Sequence, residues 1–342
     1  MVPSNIGPKV SVYPVASICI SHKEDVDGLG SATLIKVAES VSKVLLVDYA
    51  NMIAKLERVI SSEKYEQVFL CDLGLSKKNE EQFLSLLEKA KANDAKVTYF
   101  DHHDLSKDLA SAIKKTGTRL NHTTAECTSV QIYSAYKKEL PDHCAFFAAM
   151  GALTDYMEQK PLAAPIVSRF DRQFLMLESA SFSYMISANQ HNDEFLCKAV
   201  DTLAKLKYPH DIKDGFVTAE RYAKKVASAV EEIGNSIIRL DNLAYAPSTV
   251  ELSAGMVVNF VLGASQRPVA MVYKLKNDIS SYVLSIRGSA DSKVHLGRLV
   301  NDIASSMGGS GGGHDRACGA VVPEGKFEDF VAALDAGIAE TT

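Results

Sequence analysis

The sequence predicts an α/β protein: an N-terminal domain with a mostly parallel sheet, a helical linker, and a smaller C-terminal α/β domain. Three observations carry this. The first half alternates short apolar runs with amphipathic stretches, the pattern turns helical after about residue 140, and a second set of strand and helix patterns opens near Arg239.

In the first half, Val15–Ser21, Lys43–Asp48, Gln67–Leu73 and Lys96–Asp101 read as strands, with helical patterns between them. Runs such as VFLCDL and KVTYFD are nearly continuous in apolar or β-favouring residues and end in aspartate. Buried parallel strands have this character when they carry a site at their C-terminal edge. HCAFFAAMGALTDYM then reads as a buried helix, and a charged helical stretch runs from about Gly215 to Ile238. The second set places strands at Pro268–Lys276, Ser281–Ser289 and Ala317–Pro323, with helices before, between and after them. The domain division expected is 1–175, a connector over 176–238, and 239–342. A length of 342 residues is comfortable for two cores.

Composition narrows the class of function. Hydrophobic residues make up 46% and charged residues 23%, an ordinary balance for a globular protein. No apolar run has the length of a membrane span, and Met1 to Pro14 lacks the basic and apolar regions of a signal peptide, so a cytoplasmic location is expected. The six cysteines are scattered singly without a CxxC pair, which points to free thiols rather than a zinc ribbon or disulfide framework. A net charge of −5 disfavours a clamp for long nucleic acid, which needs a basic face, but allows a small anionic substrate drawn to bound cations.

The chemistry-bearing residues fall at strand ends. SHKEDVDGLGS places His22, Asp25 and Asp27 within six residues after the first strand; in extended backbone the two carboxylates share one side, with Ser31 positioned to open the next helix. Asp72 ends VFLCD, and FDHHD sets Asp101, His102 and His103 after the fourth strand. Asp155 follows the apolar helix. Singly, Asp72 is a β–α turn residue and Asp155 a helix-end charge. Together they gather carboxylates and imidazoles at one edge of one sheet, a donor set suited to divalent ions.

The order HxxDxDG at His22–Gly28, strand-end Asp72, DHH at Asp101–His103 and late Asp155 resembles the DHH phosphoesterase superfamily. That superfamily includes RecJ-type exonucleases, oligoribonuclease and pAp-phosphatase enzymes, cyclic-dinucleotide phosphodiesterases and family II pyrophosphatases. Its second domain carries a GGGHxxA signature, matched here by GGGHDRA at Gly311–Ala317. The resemblance implies two Mn²⁺ ions, with Mg²⁺ or Co²⁺ as substitutes. One would be held by His22, Asp25 and Asp72, the other by Asp27, Asp72, His102 and Asp155, with Asp72 shared. It further implies that His103 faces the substrate phosphate and that Asp101 orients an imidazole.

In the second domain, Gly311, Gly312 and Gly313 lack the Cβ atoms that would keep an anion from the backbone, and are expected to form a phosphate nest followed by His314. Arg287, ending YVLSIRG, is similar in placement to a substrate-contacting arginine of the family. His122 lies in LNHTTAECTS, a segment that resembles a family motif near the metals. From Asp241 to Thr342 there are eight Lys and Arg against eleven Asp and Glu. Such a domain suits a pocket for one or a few nucleotides, with Tyr282 as a stacking surface.

The expected function is hydrolysis of short oligonucleotides or dinucleotides to 5′-mononucleotides, with the substrate between the domains. Rival readings are a 3′-phosphoadenosine 5′-phosphate phosphatase, a RecJ-like single-strand exonuclease, and an inactive nucleotide-binding or replication-associated module. No membrane partner is expected, and a homodimer is compatible.

Overall fold

The strand-end aspartates lie along the edge of one parallel sheet in a computed structural model that describes residues 16–62, 64–248, 251–313 and 315–339. The chain divides into two units, with the boundary between Tyr222 and Ala223.

The first unit begins β1 (Ser17–His22), α1 (Val26–Glu39), β2 (Lys43–Val47), α2 (Met52–Ser62), β3 (Gln67–Cys71), α3 (Glu80–Ala92), β4 (Lys96–Asp101), α4 (Lys107–Lys115) and β5 (Arg119–His122). Helices follow: α5 (Thr128–Ala135), α6 (Cys144–Thr154), α7 (Ala163–Val167), α8 (Arg172–Ala188), α9 (Asp193–Leu203) and α10 (Gly215–Ser236), the last of which crosses the boundary. The strands pair in the order β2-β1-β3-β4-β5, all parallel. The order reverses between β1 and β3, so their C-terminal ends flank the crevice where such sheets carry their sites.

Both faces of this sheet are covered, as continuous apolar strands require. Ile18, Ile20, Val68, Leu70 and Tyr99 pack with α2, α3 and α4 on one face. Cys19, Phe69, Cys71 and Phe100 pack on the other with α1, α5 and α6. Helix α6 has nine of its eleven residues buried, which explains why its sequence shows no polar stripe. Within residues 176–238, Phe182, Met185, Leu196, Val200 and Ala219 join this first core, whereas Ala229 and Ile233 join the second unit's.

The second unit continues with β6 (Ile238–Arg239), β7 (Leu243–Pro247), α11 (Ala254–Ser265), β8 (Val269–Lys276), β9 (Ser281–Gly288), α12 (Leu296–Ser306), β10 (Ser310–Gly313), β11 (Ala317–Pro323) and α13 (Phe327–Ala339). Its mixed sheet has the order β10-β11-β9-β8-β7-β6, with only β7 and β8 parallel. Helices α12 and α13 pack on one face and α11 on the other.

Three local expectations change. Asp25 alone is extended and N-caps α1, so Asp27 is helical and the helix starts five residues before Ser31. A capping carboxylate satisfies an otherwise orphaned amide, which favours this early start. The glycine run at 310–313 is an edge strand rather than a compact nest, because register with β11 pairs Gly311 with Ala320 and Gly313 with Cys318. In an extended strand successive N–H groups point to opposite sides. Strands β5, β6, β7 and β10 are additional to those read from the sequence; the first two hold only four and two residues. All six cysteines are free, and all but Cys197 are buried. Among the described residues no helix is long and apolar enough to cross a membrane.

Candidate metal centre

Asp25, Asp27 and Asp72 are each placed by a separate local device. Asp25 uses one oxygen to cap α1, accepting from Gly28 N at 2.8 Å. Its other oxygen lies 3.5 Å from His22 Nε2, at the end of β1. Gly28 is needed for this approach, because a Cβ there would stand 2.4 Å from the His22 carbonyl oxygen. Asp27, fully buried in the first turn of α1, accepts from the amides of Thr128 at 2.8 Å and Ser129 at 2.9 Å, and from the Ser129 hydroxyl at 2.5 Å. The free amides at the start of α5 thus hold an anion, as helix N-termini do.

Asp72 follows β3 with φ 58°, a left-handed conformation uncommon outside glycine, asparagine and aspartate. Its amide donates to Phe100 O at 3.0 Å, and Oδ1 accepts from the Thr128 hydroxyl at 3.0 Å. Oδ1 also lies 3.3 Å from His102 Nε2, which is 3.6 Å from an oxygen of Asp155 at the end of α6. Two overlapping groups bring ligating atoms within reach of an ion, Asp27, His102 and Asp155, and Asp72, His102 and His103, and they share His102. His22 and Asp25 form a further pair beside them.

His103 is fixed from several directions. Asp101, fully buried, accepts from the His103 amide at 3.2 Å and lies 2.9 Å from Nδ1. His122 Nε2 donates to the His103 carbonyl at 2.6 Å. Gly74 clears space for the ring, since a Cβ there would lie 2.8 Å from His103 Cδ2. Tyr49 completes the surround: its ring lies 4.6 Å from that of His22 and its hydroxyl 3.1 Å from His103 Nε2.

Crowding of carboxylates dominates the electrostatics. Burial, then the charge of Asp72, pushes Asp25 up to about 7, although its side chain keeps 43% of its surface. Asp27 is raised by burial and by Asp72, and Asp155 is raised strongly by burial and by Asp27 and Asp25. Asp72 goes the other way. Burial opposes its ionisation, but the hydrogen bond from His102 and the charges of His103, His102 and His22 outweigh it. Burial works against protonation of His102, yet Asp72, Asp27 and Asp155 lift it to about 10. Desolvation and the charges of Asp72 and Asp25 raise the Tyr49 hydroxyl, which stays a phenol. Burial also opposes protonation of His103, but Asp101 and Asp72 raise it. Three aspartates resisting ionisation beside two imidazoles that resist losing a proton describe a pocket short of positive charge.

The eight candidate ligand and catalytic residues of the first unit, His22, Asp25, Asp27, Asp72, Asp101, His102, His103 and Asp155, thus meet at one sheet edge. In the second unit, Arg287 lies near the end of β9 and donates from Nη1 to Ile286 O at 3.0 Å; Gly311–Gly313 lie on β10. His314 lies outside the described residues. Tyr49, Gly74 and Gly151 carry no signal of this role in the sequence, whereas Thr128 and Ser129 close the LNHTTAECTS segment that resembles a family motif near the metals, without being singled out there individually.

Comparison with known proteins agrees with this architecture. The family model described as DHH family, N-terminal domain, matches residues 17–155, and that of the DHHA1 domain matches residues 244–340. No curated relative matches by sequence. Among solved structures, the pGpG-specific phosphodiesterase PggH of Vibrio cholerae is similar with TM-score 0.63 and 14% identity, over 96% of this chain and 100% of that one. RecJ of Thermus thermophilus, in complex with Mn²⁺, gives 0.62 and 15% over 96% of this chain and 53% of its own. An exopolyphosphatase-related protein of Bacteroides fragilis gives 0.56 and 14%, over 96% and 92%. With both domain models matched in order, and the Asp101–His103 motif set beside Asp72 at the sheet edge, the chain belongs to the DHH phosphoesterase superfamily.

Proposed function

We propose that this chain hydrolyses short nucleotide phosphodiesters, linear or cyclic dinucleotides and the ends of short oligomers, to 5′-mononucleotides, using two Mn²⁺-class ions. The supporting observation is the convergence of Asp27, Asp72, His102, His103 and Asp155 into two overlapping ion-sized groups, with the His22–Asp25 pair alongside. The donors fit such ions. Four carboxylates and two imidazoles combine hard oxygen with borderline nitrogen, which suits Mn²⁺ and admits Mg²⁺ or Co²⁺. His22 Nδ1 is also buried with no hydrogen-bond partner among the described residues, while Nε2 faces the Asp25 carboxylate at 3.5 Å.

His22, Asp25 and Asp72 would hold one ion, and Asp27, Asp72, His102 and Asp155 the other, with Asp72 common to both. Bound there, divalent ions supply the positive charge that polarises a phosphoryl group and lowers the pKa of water. The remaining tasks fall to the chain. Thr128 and Ser129 stop Asp27 from turning, Asp101 orients His103 through Nδ1, and Nε2 is left as the edge that meets a phosphate oxygen. Arg287, Gly311, Gly312, Gly313 and His314 would contact substrate, the arginine through its planar fork.

The preference for small substrates rests on charge. A chain at −5, with its last 102 residues also net acidic, has no excess of lysine and arginine with which to track a polymer. The likeness to a pGpG-specific phosphodiesterase over that protein's full length supports the same choice. The test is product analysis with added Mn²⁺ over 5′-labelled oligomers from two to about twenty nucleotides, with cyclic dinucleotides and 3′-phosphoadenosine 5′-phosphate included. Mononucleotides released from the shortest oligomers support the reading; no turnover of any of them overturns it.

A further inference from the structure

We propose that the Tyr49 hydroxyl is a substrate-binding group that, with His103 Nε2, grips the phosphate of the substrate. The inference rests on the phosphoesterase reading for the class of its ligand, a phosphate ester or its phosphate product. Its grounds are the placement of two side chains.

Tyr49 sits in the turn after β2, and that turn is clamped. Asp48 accepts from Asn51 N at 3.0 Å and from Asn51 Nδ2 at 2.6 Å, and the Asp48 amide donates back to Asn51 Oδ1 at 3.3 Å. The other anchor is Lys23, a buried lysine next in sequence to His22, whose Nζ lies 3.2 Å from Asp48 Oδ2. The tyrosine ring is laid against His22 at 4.6 Å with a tilt of 33°. Its hydroxyl is thereby fixed 3.1 Å from His103 Nε2, although the residue remains 43% exposed.

His103 has one nitrogen to spare. Nδ1 belongs to Asp101, so Nε2 is the ring atom that can meet a ligand, and Tyr49 already occupies it. Two polar atoms at this separation can each take one oxygen of the same phosphate group. A phenol turns its O–H about the Cζ–O bond without moving the ring, so the hydroxyl can exchange Nε2 for an anionic oxygen. The hydrogen bond the phenol then makes to the anionic oxygen is charge-assisted, a class about twice as strong as bonds between neutral groups. The pair also lies beside the metal centre, with His103 Nδ1 3.9 Å from Asp72 Oδ1.

The experiment uses Tyr49→Phe in the full chain with Mn²⁺, which keeps the ring over His22 and removes only the hydroxyl. The KM for bis-p-nitrophenyl phosphate and the inhibition constant of inorganic phosphate should each rise about tenfold, the scale of one hydrogen bond to a charged group. The kcat should stay within about threefold, and Mn²⁺ content and melting temperature should be unchanged. If only the ester constant moves, the hydroxyl reads the ester; if both move, it reads phosphate itself, and either result supports the pairing. Unchanged KM and inhibition constants, or lost Mn²⁺, overturn it. Should the wild-type protein turn over no ester, the phosphoesterase reading has failed, and phosphate titration followed on the His103 ring resonances decides the inference alone. Weaker phosphate binding by Tyr49→Phe then sustains it, while equal binding, or none to either protein, refutes it.

Discussion

Gly151 of α6 lies directly against Asp27 of α1: a Cβ at Gly151 would stand 2.6 Å from Asp27 Oδ1 and 2.3 Å from the Ser129 hydroxyl. Gly151→Ala should therefore displace the Asp27 carboxylate and destabilise the first unit by about 1–3 kcal/mol, the range for overpacking a tight interior. Metal content after dialysis and the midpoint of thermal unfolding should both fall. Wild-type Mn²⁺ affinity in this variant would show that Asp27 is not a ligand.

Asp72→Asn should be the most damaging single exchange among the proposed ligands, because Asp72 is common to both ions and removing its charge strips a central electrostatic element. A loss of at least about 10³ in kcat is expected. Asparagine tolerates the left-handed backbone that Asp72 adopts, so the fold should persist and circular dichroism should be unchanged. Activity within tenfold of wild type would reduce Asp72 to a turn residue.

Chelation with excess EDTA followed by dialysis should abolish turnover of bis-p-nitrophenyl phosphate. Mn²⁺ should restore it better than Mg²⁺ or Ca²⁺, since mixed imidazole and carboxylate donors favour a borderline ion over hard ones. Full activity in the metal-free protein would end the two-ion proposal.

Arg287→Ala, and separately His314→Ala, should leave Mn²⁺ binding intact while lowering kcat/KM on dinucleotides, because both belong to the second unit and neither is among the proposed ligands. Loss of roughly tenfold or more is expected from removing one donor to a phosphate. Isothermal titration with Mn²⁺ distinguishes the outcomes: a variant that no longer binds the ions contradicts the assignment.

Activity per molecule should peak on dimers to about pentamers and fall on long single strands, with a shallow decline in kcat/KM as salt is added. Few counterions are released when a net-acidic protein binds a short substrate. Faster degradation of a long strand than of a trimer at equal molarity, with a steep salt dependence, would favour the RecJ-type reading.

Where residues were legible in the sequence, each carried its own chemistry or lay in a strong periodic pattern. Buried parallel strands announce themselves by β-favouring apolar runs, and Asp72 and the Asp101–His103 motif stand out because charge follows such runs abruptly. β5 did not, because RLNH has four residues and a polar end. Asp27 and Asp25 were read as neighbours on one extended face, and a capping bond moved one of them into a helix. Tyr49, Gly74 and Gly151 were hidden for a different reason. Their importance lies in what stands across from them, 54, 29 and 124 positions away in the chain, and no local pattern records a partner at such separations. The glycine run was visible as composition, but the pairing that makes it a strand comes from β11.

The three hydrogen bonds that Asp27 accepts from Thr128 and Ser129 leave that carboxylate little freedom to rotate. Carboxylates that swing between one and two contacts let a site adjust to ions of different radius. A carboxylate pinned by the backbone of a helix end cannot make that adjustment. On this reasoning the preference for a small ion over one as large as Ca²⁺ would be set by stiffness, and the first turn of α5, which contributes no proposed ligand, would act as the gauge of ionic size.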